Sequence, residues 1–156
     1  MRTCLVGSEM CIRDRSYYRR TAESRAPDLA WMFEGIEDQE ILGDFGFSGG
    51  GAAGFELDRA DVRLGTPEEV RVVASSENHT SSFVLVPEEM LTHITNWPGE
   101  EEQQKLIRSD IVYFRTPSGG EVFSTGSITF CGSLPWNNFD NNISRLLENV
   151  IRRFLQ

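Results

Sequence analysis

The chain predicts a single α/β sheet domain. Three patterns carry that expectation: β-branched apolar runs at residues 70–75 and 111–114, a hairpin signal over 111–124, and an amphipathic helix after residue 140. Strand and helix signals alternate along the chain. No internal repeat or low-complexity linker separates them.

Residues 16–28 are polar and arginine-rich, and read as an arm or loop leading into a domain over 29–156. Ala30-Trp31-Met32-Phe33 is a short apolar run stopped by Glu34-Gly35, the length of a buried strand. Residues 43–54 hold six of the fourteen glycines, an entropic cost that a folded chain bears where the backbone shape is used. Residues 55–64 fit neither period cleanly and predict a helical turn, then a bend ended by Gly65-Thr66-Pro67. A strand over 70–75 leads into a polar loop at 76–82, the strand end where ligands usually sit in an open α/β sheet. A short strand at 82–86, a helix opening at Pro87-Glu88-Glu89 and a solvated acidic run at 100–105 follow. Residues 111–114 form the strongest central-strand signal. Pro117-Ser118-Gly119-Gly120 turns the chain into a second strand from Glu121, continued by small residues through 125–130. Asp140-Asn141 supplies a cap. Ile143, Leu146, Leu147, Val150, Ile151 and Phe154 then repeat at helical spacing, with Arg152 and Arg153 matching the carboxyl-end dipole.

The 156 residues suffice for one core, and 39% hydrophobic with 25% charged residues is a globular balance. A net charge of −9 argues against nucleic acid, which demands clustered lysine and arginine, and no apolar run is long enough to span a membrane. A cytoplasmic location is the expectation. Residues 1–15 resemble a peptide produced when adaptor DNA in environmental libraries is translated, and are set aside as a non-native leader. They carry three arginines and two acids, so removing them takes the net charge from −9 to −10. Cys4 and Cys11 go with them, leaving Cys131 without a disulfide partner.

Residues 49–54 match G-x-G-x-x-G, a nucleotide fingerprint only when a full helix follows; here Gly65-Thr66-Pro67 intervenes too early. Glu56 stands between Phe55 and Leu57 just after the glycines, where partial burial would suit a general acid or base; the alternative is a surface ion-pair cluster with Asp58, Arg59 and Asp61. His79 lies in the loop after a strand, with Glu77 near enough to orient it; His93, on the helix expected after Pro87, reads as exposed. With no second histidine nearby, a metal site within this stretch is not expected. Ser124-Thr125-Gly126-Ser127 offers donors to a ligand, and Cys131 reads as an inert core residue in a strand.

Gly43-Asp44-Phe45-Gly46, Gly50-Gly51-Ala52-Ala53-Gly54-Phe55-Glu56-Leu57-Asp58-Arg59, Ala74-Ser75-Ser76-Glu77-Asn78-His79, Gly119-Gly120-Glu121-Val122-Phe123-Ser124-Thr125-Gly126-Ser127-Ile128 and Asp140-Asn141-Asn142-Ile143-Ser144-Arg145 occur in that order. Together they resemble the C-terminal region of the N,N-dimethylformamidase large subunit family. The resemblance implies the C-terminal part of a glutamine-amidotransferase-like, flavodoxin-like sheet domain. It also implies hydrolysis of small N-substituted amides to a carboxylate and an amine. The family's iron, held by two tyrosines and a glutamate, is expected upstream of this stretch, so Tyr17, Tyr18 and Tyr113 receive no ligand role. Glu56 and His79 match the family pattern and are the candidate catalytic residues. The implied partners are a small amide substrate, the upstream part of the large subunit and a small subunit, in an oligomer. A non-catalytic assembly or partner-binding domain of a larger protein is the alternative, and a nucleotide-binding domain through Gly49–Gly54 a weaker one.

Overall fold

The computed structural model describes residues 16–77, 79–80, 83–86 and 105–156. Among them a four-stranded sheet runs in the order β1 (Tyr17–Arg20), β2 (Arg71–Glu77), β3 (Asp110–Arg115), β4 (Glu121–Ser124), with every neighbouring pair antiparallel. Helix and sheet are both present as expected, but these strands are not parallel. A rule that places ligands at the carboxyl ends of parallel strands therefore gives no guidance here.

β1 comes from the stretch read as an arm. Tyr18 is fully buried in it and exchanges backbone hydrogen bonds with Leu42, N to O, at 2.9 Å each way. β2 carries a bulge at Val73, which sits unpaired between Val72 and Ala74 with its side chain in the core. The β3–β4 hairpin forms as the turn residues dictate, Arg115 facing Glu121 across the strand ends. α2 (Asn142–Phe154) lays Ile143, Leu146 and Val150 onto the core. Of the expected Asp140-Asn141 pair, Asn141 is the cap: its side chain accepts from the Ser144 N–H at 2.9 Å.

Three segments differ from their expected form. Residues 30–33 belong to a 3-10 helix, Pro27–Phe33, not a strand. Pro27 begins it in a conformation preset for a helix, and Leu29, Met32 and Phe33 are buried at helical rather than alternating spacing. The Asn149 side chain, on α2, ties this helix down by donating to the Met32 and Glu34 carbonyls at 3.0 and 2.9 Å. The second hairpin strand stops at Ser124. Gly126 turns the chain with φ 69°, and α1 (Thr129–Ser133) follows. Cys131 consequently lies exposed on a helix, not in a strand of the core. Phe83 to Val86 form no strand, and the helix expected after Pro87 lies outside the described residues.

The glycine-rich segment packs as a wall of the core. Gly51 passes so close to Ser16 that a β-carbon would overlap the Ser16 carbonyl, and a β-carbon on Gly54 would meet Thr129 Cγ2 at 2.9 Å. No helix follows directly, so the match lacks the context that a dinucleotide fingerprint needs, and these two glycines serve close packing.

Candidate functional site

Glu56 lies just beyond the buried glycine wall, in a short arch over residues 54–58. Gly54 is buried, Phe55 and Glu56 are exposed, and Leu57 returns to form an antiparallel bridge with Ser127. Glu56 adopts φ 60°, a left-handed conformation that costs a non-glycine residue free energy unless its surroundings enforce it. The partial burial expected of Glu56 is absent: the residue is exposed. Asp61, five residues on, is instead the centre of the ion-pair cluster. It accepts from the Arg63 side chain at 2.7 and 3.0 Å, from Arg63 N at 3.0 Å and from Arg59 at 3.3 Å. The Arg63 hydrogen bonds, foremost, hold its carboxyl well below the usual carboxylate range.

His79 sits beyond the end of β2. Its Nε2 lies 2.6 Å from Ser76 Oγ, and its ring meets Phe83 edge-on at 4.9 Å. The orienting carboxylate expected from Glu77 is elsewhere, paired with Arg19 across the β1–β2 ladder. Burial pushes the imidazole down from 6.5 to about 4, so the ring is neutral at pH 7. Ser76 Oγ already accepts from the Ser109 N–H at 2.6 Å. The Ser76 hydroxyl and Nε2 share a hydrogen bond whose direction is set by the tautomer of the ring. Nδ1 meets no hydrogen-bond partner among the described residues. The unfolded histidine binds a proton that the folded one resists between pH 6.5 and 4, so stability is full above pH 6.5 and falls through that window. His79→Gln should flatten this part of a urea-midpoint-against-pH curve. An unchanged slope would exclude His79 as its source.

Behind these two residues lies a polar network that sequence patterns did not reveal. The buried Tyr18 hydroxyl donates to the Thr125 carbonyl and shares a hydrogen bond with Ser109 Oγ, both at 2.8 Å. Its pKa is raised, chiefly by burial, with Asp110 and Asp58 acting in the same sense. Asp110, 2% exposed, accepts from Ala60 N at 2.9 Å, Ser75 Oγ at 2.6 Å and Arg108 Nε at 3.1 Å. Ser127 Oγ is likewise turned inward onto Gly54 rather than out to a ligand. Only the polar Arg108-Ser109-Asp110 run before an apolar strand hinted at this layer. No hydrogen bond or ion pair joins Glu56 to His79 among the described residues. A cleft of about 530 Å³ between Phe45, Phe47, Trp136 and Asp140 includes neither of them.

No group of three or more His, Cys, Asp or Glu converges among the described residues. The tyrosine hydroxyls of Tyr18 and Tyr113 are engaged, Tyr18 as above and Tyr113 by Arg115 Nε at 3.1 Å. No helix among the described residues is long and apolar enough to cross a membrane.

An antiparallel sheet, a packed glycine segment and an exposed acid on an arch above it are the features that this domain combines. The chain belongs to the family described as N,N-dimethylformamidase beta subunit-like, C-terminal, whose match covers residues 2–142. It is similar to the N,N-dimethylformamidase beta subunit of Paracoccus aminophilus, at 41% identity over 140 residues, and to that of an Alcaligenes species, at 40% over 140 residues. Each alignment covers 90% of this chain and 18% of the relative, so the chain spans under a fifth of the length of the curated relatives it matches.

Proposed function

We propose that this chain is the C-terminal part of an amidohydrolase subunit that hydrolyses small N-substituted amides, such as dimethylformamide, to a carboxylate and an amine. The observation that carries the reading is Glu56, an exposed acid held in left-handed backbone at the apex of the arch. Strain of this kind persists where the surroundings over-determine it, and it clusters at working sites. Amide hydrolysis requires a proton to leave the attacking water and a proton to reach the departing nitrogen. One carboxylate can accept the first and return it as the second. For His79 the proposal is narrower: Ser76 Oγ engages Nε2, which leaves Nδ1, buried and without a hydrogen-bond partner among the described residues, as the ring's other nitrogen. The iron implied by the resemblance is assigned to the remainder of the subunit, and no step is drawn through it.

The antiparallel strands would form one edge of a glutamine-amidotransferase-like sheet, since large mixed sheets commonly carry antiparallel strands at an edge. Both relatives are named as beta subunits, which motivates a multi-subunit assembly for the full-length protein. The assembly reading gains from one face in particular. Phe47, 70% exposed, packs beside Trp136 at 5.3 Å, an aromatic surface suited to cover by another part of the protein.

A chimera separates the two readings. Residues 16–156 replace the matching C-terminal stretch of the Paracoccus aminophilus subunit, and amine release from dimethylformamide is measured. Turnover within about tenfold of the parent is the expected result. A chimera that assembles and stays inactive would overturn the catalytic reading and favour the assembly one.

A further inference from the structure

The arch that carries Glu56 has two fixed feet. At one, the Gly54 N–H donates to Ser127 Oγ at 3.0 Å, and the Ser127 hydroxyl donates back to the Gly54 carbonyl at 2.7 Å. At the other, the Asp58 N–H donates to the Gly126 carbonyl at 2.8 Å, and the Asp58 carbonyl accepts from Asp110 N on β3 at 2.9 Å. Both feet therefore stand on residues 126–127. That seat is itself rigid: Gly126 has φ 69°, and a β-carbon there would lie 2.5 Å from the Asp110 carbonyl oxygen and 2.6 Å from Ser109 Oγ. Ser127 is buried, and its hydroxyl also lies 3.2 Å from Thr129 Oγ1. Three residues are left to span the gap, and the middle one is Glu56.

We propose that Ser127 is the positioning residue for Glu56. One hydroxyl satisfies both backbone polar groups of Gly54, two residues before the carboxylate, and so fixes the direction in which the arch leaves the core. Without that hydroxyl the first foot is released. Glu56 then relaxes from the left-handed region towards extended backbone, and the carboxylate swings away from the position it now holds. Ser127 touches no reacting atom; it acts through the backbone. This inference rests on the reading that Glu56 transfers the proton in amide hydrolysis.

The test uses the complete subunit with its partners and dimethylformamide as substrate, comparing Ser127→Ala, Ser127→Cys and Glu56→Gln. Misplacing a catalytic group by about 1 Å costs about 100-fold, so Ser127→Ala should lose about that much in kcat with KM little changed. Its acid limb in the pH profile of kcat/KM should shift, a change that simple loss of folded enzyme would not produce. Ser127→Cys keeps a weaker, longer hydrogen-bonding group and should recover part of the rate. It also decides the matter should the alanine variant fail to fold. Wild-type kcat and pH profile in a folded Ser127→Ala or Ser127→Cys enzyme, beside an inactive Glu56→Gln, would overturn the positioning role and leave the Glu56 reading standing. Full activity in Glu56→Gln would overturn the reading beneath it.

Discussion

Glu56→Gln in the full-length subunit is expected to leave folding intact and to lower kcat/KM on dimethylformamide about 10²- to 10⁴-fold, the usual contribution of a positioned acid–base group. Glutamine keeps the shape and removes the proton-accepting oxygen. Glu56 is exposed and buries nothing, so the substitution should move stability by no more than about 0.5 kcal/mol. Glu56→Gly sharpens the test. Glycine reaches φ 60° without the steric penalty that glutamate bears, so this variant should be as stable as the wild type or more stable by up to about 1 kcal/mol, and equally inactive. Amine release and thermal unfolding, measured on the same preparations, separate the two effects. Wild-type kcat/KM in Glu56→Gln would remove Glu56 from the chemistry.

Gly51→Ala is expected to be the most damaging small substitution in the glycine-rich segment, at about 3 kcal/mol or more. The added methyl would occupy the place of the Ser16 carbonyl oxygen, a backbone atom with no rotamer to yield. That carbonyl also accepts the Ala53 N–H at 3.3 Å, and Ser16 is fully buried, so the strand entering β1 would have to move with it. Gly65→Ala is the control. Gly65 has φ 97°, but an added methyl would meet nothing within 4 Å, so only backbone strain opposes the change, at about 1 kcal/mol. Urea midpoints of the two variants check this. Equal midpoints would mean that the glycines serve turn conformation alone and not close packing.

How much of the molecule is legible in its residues depends on the range of the forces involved. α2 is legible because Ile143, Leu146 and Val150 sit at a spacing that only one periodicity satisfies. The β3–β4 hairpin is legible because Gly119, with φ 90°, and its neighbours specify the turn locally. The helix at Pro27–Phe33 is not, because four apolar residues suit either period and the choice falls to what lies beneath them. β1 is hidden for a related reason: Tyr17-Tyr18-Arg19-Arg20 carries one buried residue, and its strand character comes from Leu42 and β2. Glu56 stands out through the company it keeps in a motif, yet its exposure does not, since flanking apolar residues say nothing about where an arch points.

The family, the terminal helix, the hairpin and the identity of the candidate acid all follow from the order of residues alone, because each is written in near neighbours or in a series of motifs. The remainder emerged only on folding. The three-dimensional arrangement set the antiparallel order of the strands, which composition does not distinguish from a parallel one. It turned Ser127 inward and so made an expected ligand donor into a foot of the arch. It joined Tyr18, Ser76, Ser109 and Thr125, up to 107 positions apart, into one buried hydrogen-bonded layer. Such contacts depend on loop closures that no local pattern encodes.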